Sequence, residues 1–480
     1  MSGVKGETAS KAMSKCIPPD HSVLLMTDTS SEEKLALTTN LASIKSIRPL
    51  EKRSHHKAVV NWLTKYESQP NASNLDKVKG YLEAFYHLCE IEEWIAAGSI
   101  RIFKLDIAAK VELIQQLEFW GYFQEAIEMN KVLLGKFGSS MDYYLLINIG
   151  DVYQKLGQYR QALDFFEQAK KLNEEVQDPA NEISVLFHIG QVHYALGEVQ
   201  QAIKLYKQSL ETMEKIGDYT SKGHCLCALG NAYRSLSKAK EALPLLEEAV
   251  EIAKEGSDRS FEATALVNLG AVYNELNHQK QAVQCFEQSL EIRRKQEDSW
   301  GEANSVGHLA NTHRILKQFE QAIALHQQRL EIVKEISDLQ GKADSLLDLG
   351  TTYLQWGKYK QAIDFLKQSL NIERQIEDIR GQGMSLGNLG AAYFALGNCQ
   401  QASCCYLEGI DIAGKMGDNL RQASYAQDLA KVYSSLEQYE QIKQCYQGLL
   451  TIAKATEDRY YEGHYLLELG LANFDEDELK

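Results

Sequence analysis

The sequence predicts an all-α chain built from tandem helical hairpins, and three observations carry that prediction. Proline is scarce, with 6 in 480 residues, so helices meet few interruptions. A 40-residue period runs without gaps from about Met141 to Gly470. Within each period apolar residues recur mostly at three- and four-residue steps, as Cys225, Leu226, Leu229, Tyr233 and Leu236 do, and again Ala242, Leu245, Leu246, Ala249 and Val250.

Each element of the hairpin has its own column. Gly150, Gly190, Gly230, Gly270, Gly350, Gly390 and Gly470 share one place in the period, with Ala310 and Ala430 in its remaining slots, so only a tiny side chain fits there. Three residues later stand Tyr153, His193, Tyr233, Tyr273, His313, Tyr353, Tyr393 and Tyr433. His193 and His313 replace Tyr and read as core substitutions, too far apart to share a metal. Nine residues beyond lies a second small column, Ala162, Ala202, Ala242, Ala282, Ala322, Ala362 and Ala402, broken only by Ile442. The register sets Ala282 against Gly270 across its hairpin. Breaks such as Leu156-Gly157-Gln158-Tyr159 and Leu396-Gly397-Asn398 separate the two helices, their glycine suited to the left-handed turn that ends a helix. Asp178, Asp218, Asp258, Asp298, Asp338, Asp378, Asp418 and Asp458 punctuate the units, each placed to cap the helix that follows.

Composition narrows function. With 51 Lys+Arg against 66 Asp+Glu the formal charge is −15, which argues against nucleic acid as a partner. The apolar stretch near the start, Val23-Leu24-Leu25-Met26, is too short for a signal peptide or a membrane span, so a cytoplasmic protein without a membrane partner is expected. The 9 cysteines then read as reduced thiols, with Cys285, Cys405 and Cys445 in a packing column shared with Phe165, Leu205, Leu245, Leu325 and Phe365.

Catalytic chemistry finds little support. Gly381-Gln382-Gly383-Met384-Ser385-Leu386-Gly387 has glycines of a dinucleotide loop but follows a helix end rather than a strand. Cys225 and Cys227 after His224 are too few ligands for zinc. No nucleophile, base and orienting group occur together. The expectation is a chain that is not an enzyme, with no catalytic residue, no metal and no cofactor.

The string Leu229-Gly230-Asn231-Ala232-Tyr233, followed by Ala242 and Leu246, resembles the tetratricopeptide repeat in its long, 40-residue form, as in Pins/LGN-type scaffolds and bacterial arrays. The resemblance covers residues 105–472, about nine repeats ending in a capping helix, with 105–140 a divergent first repeat around Trp120-Gly121-Tyr122, Ala126 and Ile127. It implies a right-handed superhelix whose first helices line a concave groove. Residues 54–104 read as divergent helical hairpins resembling segments that precede such arrays in cyanobacterial proteins. The polar, Ser/Thr-rich segment 1–53 is expected to be disordered, and 473–480 forms an acidic tail that makes the terminal helix a solvated cap.

The resemblance also implies which residues face the groove: those just after the small column, those three beyond, and those two before. Among them are Asn148, Gln154, Gln191, Tyr194, Asn231, Arg234, Asn268, Asn274, Asn311, Arg314, Asn388 and Phe394. The pair Asn-x-x-Arg occurs as Asn231/Arg234 and Asn311/Arg314, joining an amide that serves a ligand backbone to a guanidinium that grips a carboxylate. Tyr194 and Phe394 add apolar anchors. The lysine of the repeats that clamp chaperone tails is replaced by Cys227 and Gly307, so that carboxylate clamp is not expected. The function implied is a non-catalytic scaffold or adaptor that takes a protein or peptide ligand with acidic residues facing Arg234 and Arg314. The alternative is a peptide-responsive sensor whose superhelix changes pitch on binding.

Overall fold

The computed structural model describes residues 50–69, 72–105, 111–217 and 221–478, with side chains as far as Ala472. The segment expected to be disordered lies outside the described residues as far as 49, and Leu50–Arg53 already belong to a helix. Asp218 and the acidic side chains of the tail also lie outside them. The described residues hold 22 helices and no strand, only an isolated bridge between Lys104 and Glu112.

Two compact units divide the chain, Met1–Tyr219 and Thr220–Lys480. The first opens with α1 (Leu50–Lys65), α2 (Asn74–Glu90), α3 (Trp94–Arg101), α4 (Leu113–Phe119) and α5 (Phe123–Leu133). Two full hairpins follow, α6 (Ser139–Lys155) with α7 (Tyr159–Val176) and α8 (Pro179–Ala195) with α9 (Val199–Ile216). The second unit holds α10 (Lys222–Ser235) with α11 (Ala239–Glu255), α12 (Arg259–Glu275) with α13 (Gln279–Lys295), and α14 (Ser299–Ile315) with α15 (Phe319–Glu335). It continues with α16 (Leu339–Gln355) and α17 (Tyr359–Gln375), α18 (Ile379–Ala395) and α19 (Cys399–Met416), α20 (Asn419–Ser434) and α21 (Tyr439–Ala455), and ends on α22 (Arg459–Glu478).

Local chemistry sets these boundaries. Asp258, Asp298, Asp338, Asp378 and Asp418 each accept a hydrogen bond from the backbone N–H three residues on, at 2.8–3.0 Å, while Asp178 accepts from Ala180 at 2.9 Å. The side-chain oxygen thus satisfies a donor that the first turn leaves without a carbonyl. Between the helices of a hairpin the chain turns through one left-handed residue. It is Gly157 at φ 70° and Gly397 at φ 76°, but Asn277 and Lys317 adopt φ 60° and 59° in the same place.

Packing explains the columns. A side chain added at Gly270 would sit 2.7 Å from Cε1 of Phe286, and one at Gly230 2.7 Å from Cγ of Leu246. The glycine therefore receives a knob from the second helix, and the residue it faces is Phe286, one turn beyond the Ala282 expected from register. Ala282 is itself fully buried nearby. Gly270→Ala should overpack the hairpin and cost on the order of 1–3 kcal/mol, read as a lower melting temperature; an unchanged one would contradict this packing. The aromatic column stacks on the next helix, with Tyr153 on Phe165 and Tyr353 on Phe365 at 5.4 Å between ring centroids.

His193 and His313 depart from the core role expected of them. Each reaches its own turn: Nδ1 of His193 lies 2.5 Å from Oε2 of Glu198, and Nδ1 of His313 2.6 Å from Oε1 of Gln318. The polar partner sits just before the second helix, so both imidazoles brace the turn rather than fill the core.

Within each unit every second helix packs against the first helix of the next hairpin, and successive first helices also touch one another. Successive first helices therefore approach one another more closely than successive second helices do.

Candidate functional site

The twelve residues assigned to the inner face are all half-buried. Asn148, Gln154, Gln191 and Tyr194 belong to the first unit, where the neighbouring His188 stacks on Phe166 at 5.1 Å and sets Nδ1 3.0 Å from Oδ1 of Asp151. The other eight belong to the second unit. Several of them are engaged across hairpins: Nδ2 of Asn268 donates to Sγ of Cys227 at 3.0 Å, and that of Asn274 to Oγ1 of Thr312 at 2.8 Å. Asn388 donates likewise to Oγ1 of Thr351 at 2.9 Å. These amides join neighbouring hairpins to one another.

The two Asn/Arg pairs differ. Arg314 donates from Nε and Nη2 to its own Asn311 at 3.2 and 3.1 Å and faces the Asp348 carboxylate. Arg234 is held more loosely, with Nη1 3.6 Å from Glu275. Its Nε, Oδ1 of Asn231 and Oδ1 of Asn274 are buried and make no hydrogen bond among the described residues. The sequence pattern treats the pairs alike; the structure leaves Arg234 the more available cation.

Beneath Arg314 lies a charged cluster that the column analysis does not anticipate. His326 occupies the knob position filled by Phe286 and Leu366 in the flanking hairpins and is fully buried, with neither ring nitrogen hydrogen-bonded. Arg329 occupies a small-residue column, with Ser289 and Ser369 as its neighbours in the period. Room for it comes from Gly307, where a side chain would lie 3.1 Å from Arg329 Cδ, at a place that holds Val267 and Leu347 elsewhere.

The Arg329 guanidinium donates to Oδ2 of Asp348 at 3.0 Å and lies 3.7 Å from Asp344, while Nδ1 of His326 is 4.0 Å from the same Asp348 oxygen. Burial, reinforced by Arg329 and Arg314, pushes His326 down to about 3. Burial and the nearby Arg234 and Arg329 push His308 down to about 4. Burial also raises the Asp348 carboxyl, against the pull of Arg329 and Arg314. Both imidazoles are therefore neutral at pH 7. Arg329 could have been found as the only arginine in its column, with Gly307 as the compensating loss of volume.

The described residues contain no group of three or more His, Cys, Asp or Glu side chains placed to hold a metal ion, and no helix long and apolar enough to cross a membrane. The described cysteines are free thiols, and burial pushes Cys285, Cys405 and Cys445 up to about 11.

The sequence matches the tetratricopeptide repeat profile over residues 142–215, 181–255, 224–295 and 302–375. The profile of anaphase-promoting complex subunit 5 matches residues 350–424. No curated protein matches the sequence. Among solved structures, a signal transduction ATPase with a tetratricopeptide repeat sensor from Pyrococcus horikoshii is 15% identical at a TM-score of 0.54, the match covering 95% of this chain and 68% of that one. The apo quorum sensor NprR from B. thuringiensis is 15% identical at a TM-score of 0.51 over 79% of this chain and 98% of its own. Apo RapI is 16% identical at 0.49 over 58% and 99%. At these identities the likeness is one of fold. With glycine and alanine columns, aromatic stacks and capped hairpins all in register, this chain carries a tandem array of tetratricopeptide repeats.

Proposed function

We propose that the chain is a non-catalytic, cytoplasmic interaction protein that binds a partner's peptide or helix on the concave face of its second unit, with partner carboxylates meeting Arg234 and Arg314. One observation carries the reading: Asn231, Arg234 and Asn274 are half-buried, each with a polar atom that makes no hydrogen bond among the described residues. Such groups are held in place by packing and gain most from a ligand that supplies amides and a carboxylate. Arg234 is the principal anchor in this reading, because Asn311 and Asp348 already engage Arg314. The free thiols support a reducing compartment.

Affinity capture from a native lysate, comparing the wild type with a variant carrying Asn231→Ala, Arg234→Ala, Asn311→Ala and Arg314→Ala, tests the proposal. Partners lost only from the variant, with its circular dichroism unchanged, support it. Identical partner sets move the site away from this face. A sensor role gains support from Asp348, which joins Arg314 on the inner face to Arg329 in the hairpin interior and so gives a ligand a route to the packing below.

A further inference from the structure

Polar pairs between successive first helices recur at a step of 37 residues. His188 sets Nδ1 3.0 Å from Oδ1 of Asp151, Asn388 donates to Thr351 at 2.9 Å, and Asn311 donates to Asp348. The same step from His308 reaches Ala271, which offers no polar atom. His308 otherwise matches His188: its ring stacks on Phe286 at 5.2 Å, as that of His188 stacks on Phe166 at 5.1 Å, and both are half-buried. The carboxylate that completes the first-unit pair is therefore lacking at the corresponding place in the second. Among the charges around the ring, Arg234 of α10 acts most strongly and Arg329 of α15 next, while Asp348 of α16 pulls the other way less strongly than either. Ala271 of α12 and Phe286 of α13 bring no charge, Glu275 of α12 is drawn to Arg234 at 3.6 Å, and His326 of α15 is itself neutral.

We propose that the place over Ala271 is a seat for one acidic side chain of a bound peptide, gripped by Arg234 and His308 and tightened by proton uptake at His308. The seat rests on the reading above that Arg234 meets a partner carboxylate. In it the ligand oxygen takes the part that Asp151 plays for His188. Asn231 and Arg234 share a face of α10, and Asn274 follows Ala271 by one turn of α12. Nε of Arg234, Oδ1 of Asn231 and Oδ1 of Asn274 are buried and make no hydrogen bond among the described residues. The guanidinium supplies a donor to the carboxylate, and the two amide oxygens suit backbone N–H groups on either side of it, which favours a peptide over a free anion. Burial and the two arginines hold the free imidazole near 4, so it is neutral at pH 7. A bound carboxylate offsets the arginines and raises that value. The complex then takes up a proton that the free chain refuses, and affinity rises as pH falls through the raised value toward 4. An aspartate side chain stays ionised over most of that window.

The test follows the His308 Cε1–H resonance of the full chain with labelled histidine, assigned with His308→Gln, against acetyl-Gly-Asp-Gly-amide and its Asn counterpart. The aspartate peptide should raise the His308 titration midpoint and bind at least several-fold more tightly at pH 5.5 than at pH 7, and the Asn peptide should do neither. Ala271→Asp should raise the midpoint with no peptide present, because the chain then carries its own carboxylate, and should abolish the response to the aspartate peptide. His308→Gln should keep binding at pH 7, carried by Arg234, and lose its pH dependence. A midpoint still near 4 in a folded Ala271→Asp chain overturns the seat, as does a wild-type His308 unmoved by the aspartate peptide up to its solubility limit. Equal affinity at the two pH values overturns the proton uptake. Failure here is distinct from failure of the reading beneath it. Partners lost from the lysate variant while His308 stays silent keep that reading and discard the seat, whereas a responding His308 with identical partner sets keeps the seat and discards the reading.

Discussion

Ala310→Gly combined with His326→Leu is expected to remove much of the acid sensitivity of the second unit and to raise its melting temperature. In the wild type His326 is fully buried without a hydrogen bond to either nitrogen, beside two guanidinium groups. Its folded-state value lies near 3, against 6.5 for an ordinary imidazole. Between those two values the unfolded chain binds a proton that the folded chain refuses, so stability falls as pH drops from about 6.5 toward 3. The shift corresponds to a loss on the order of a few kcal/mol across that window.

The double variant restores the arrangement of Gly230 with Leu246 and of Gly350 with Leu366, removing the proton uptake and two unsatisfied nitrogens together. His326→Leu alone should gain less, because Ala310 occupies space that glycine leaves to the knob. Melting temperatures at pH 7 and pH 4.5 check this: the wild-type difference should shrink in the double variant. His308, held near 4, supplies a residual slope of the same sign. An unchanged slope would place the acid sensitivity elsewhere.

Asp348→Ala should be the most destabilising single change in the charged cluster. It leaves Arg329, only 14% exposed, with Asp344 at 3.7 Å as its remaining carboxylate, and removes the acid facing Arg314. Breaking one side of so desolvated a pair costs on the order of 3 kcal/mol, much of it the penalty of a poorly compensated charge. Replacing the whole arrangement should therefore cost far less. Asp348→Asn with Arg329→Ser and Gly307→Val recreates the apolar and small residues seen at Val267 and Ser289. Denaturant midpoints of the two variants decide the matter, and a triple variant as unstable as Asp348→Ala would show that the cluster stabilises the hairpin outright.

Much of the fold is legible because its causes recur. The capping aspartates, the glycine column and the aromatic column answer the same steric or hydrogen-bonding demand in each unit, so period alone exposes them. His193 and His313 are misread because a column records where a side chain sits, and an imidazole at a tyrosine position can turn to a partner five residues on. The sequence offers the expected inner face only as a set of positions, while the difference between Arg234 and Arg314 depends on Glu275 and Asp348, which belong to neighbouring hairpins. His326, Arg329 and Gly307 are visible only as exceptions in columns that otherwise report packing.

The Arg329–Asp348 contact also bears on how such a chain can be inherited. A gapless 40-residue period lets recombination between repeats add or remove one hairpin without disturbing the reading frame, and each newcomer brings its own capping aspartate. Arg329 stands in one hairpin and its carboxylate in the next, so the hairpins beginning at Ser299 and Leu339 are not interchangeable with their neighbours. A crossover that parted them would strand a guanidinium in the interior. Parting these two repeats would therefore cost more than parting the hairpins joined by neutral amide contacts.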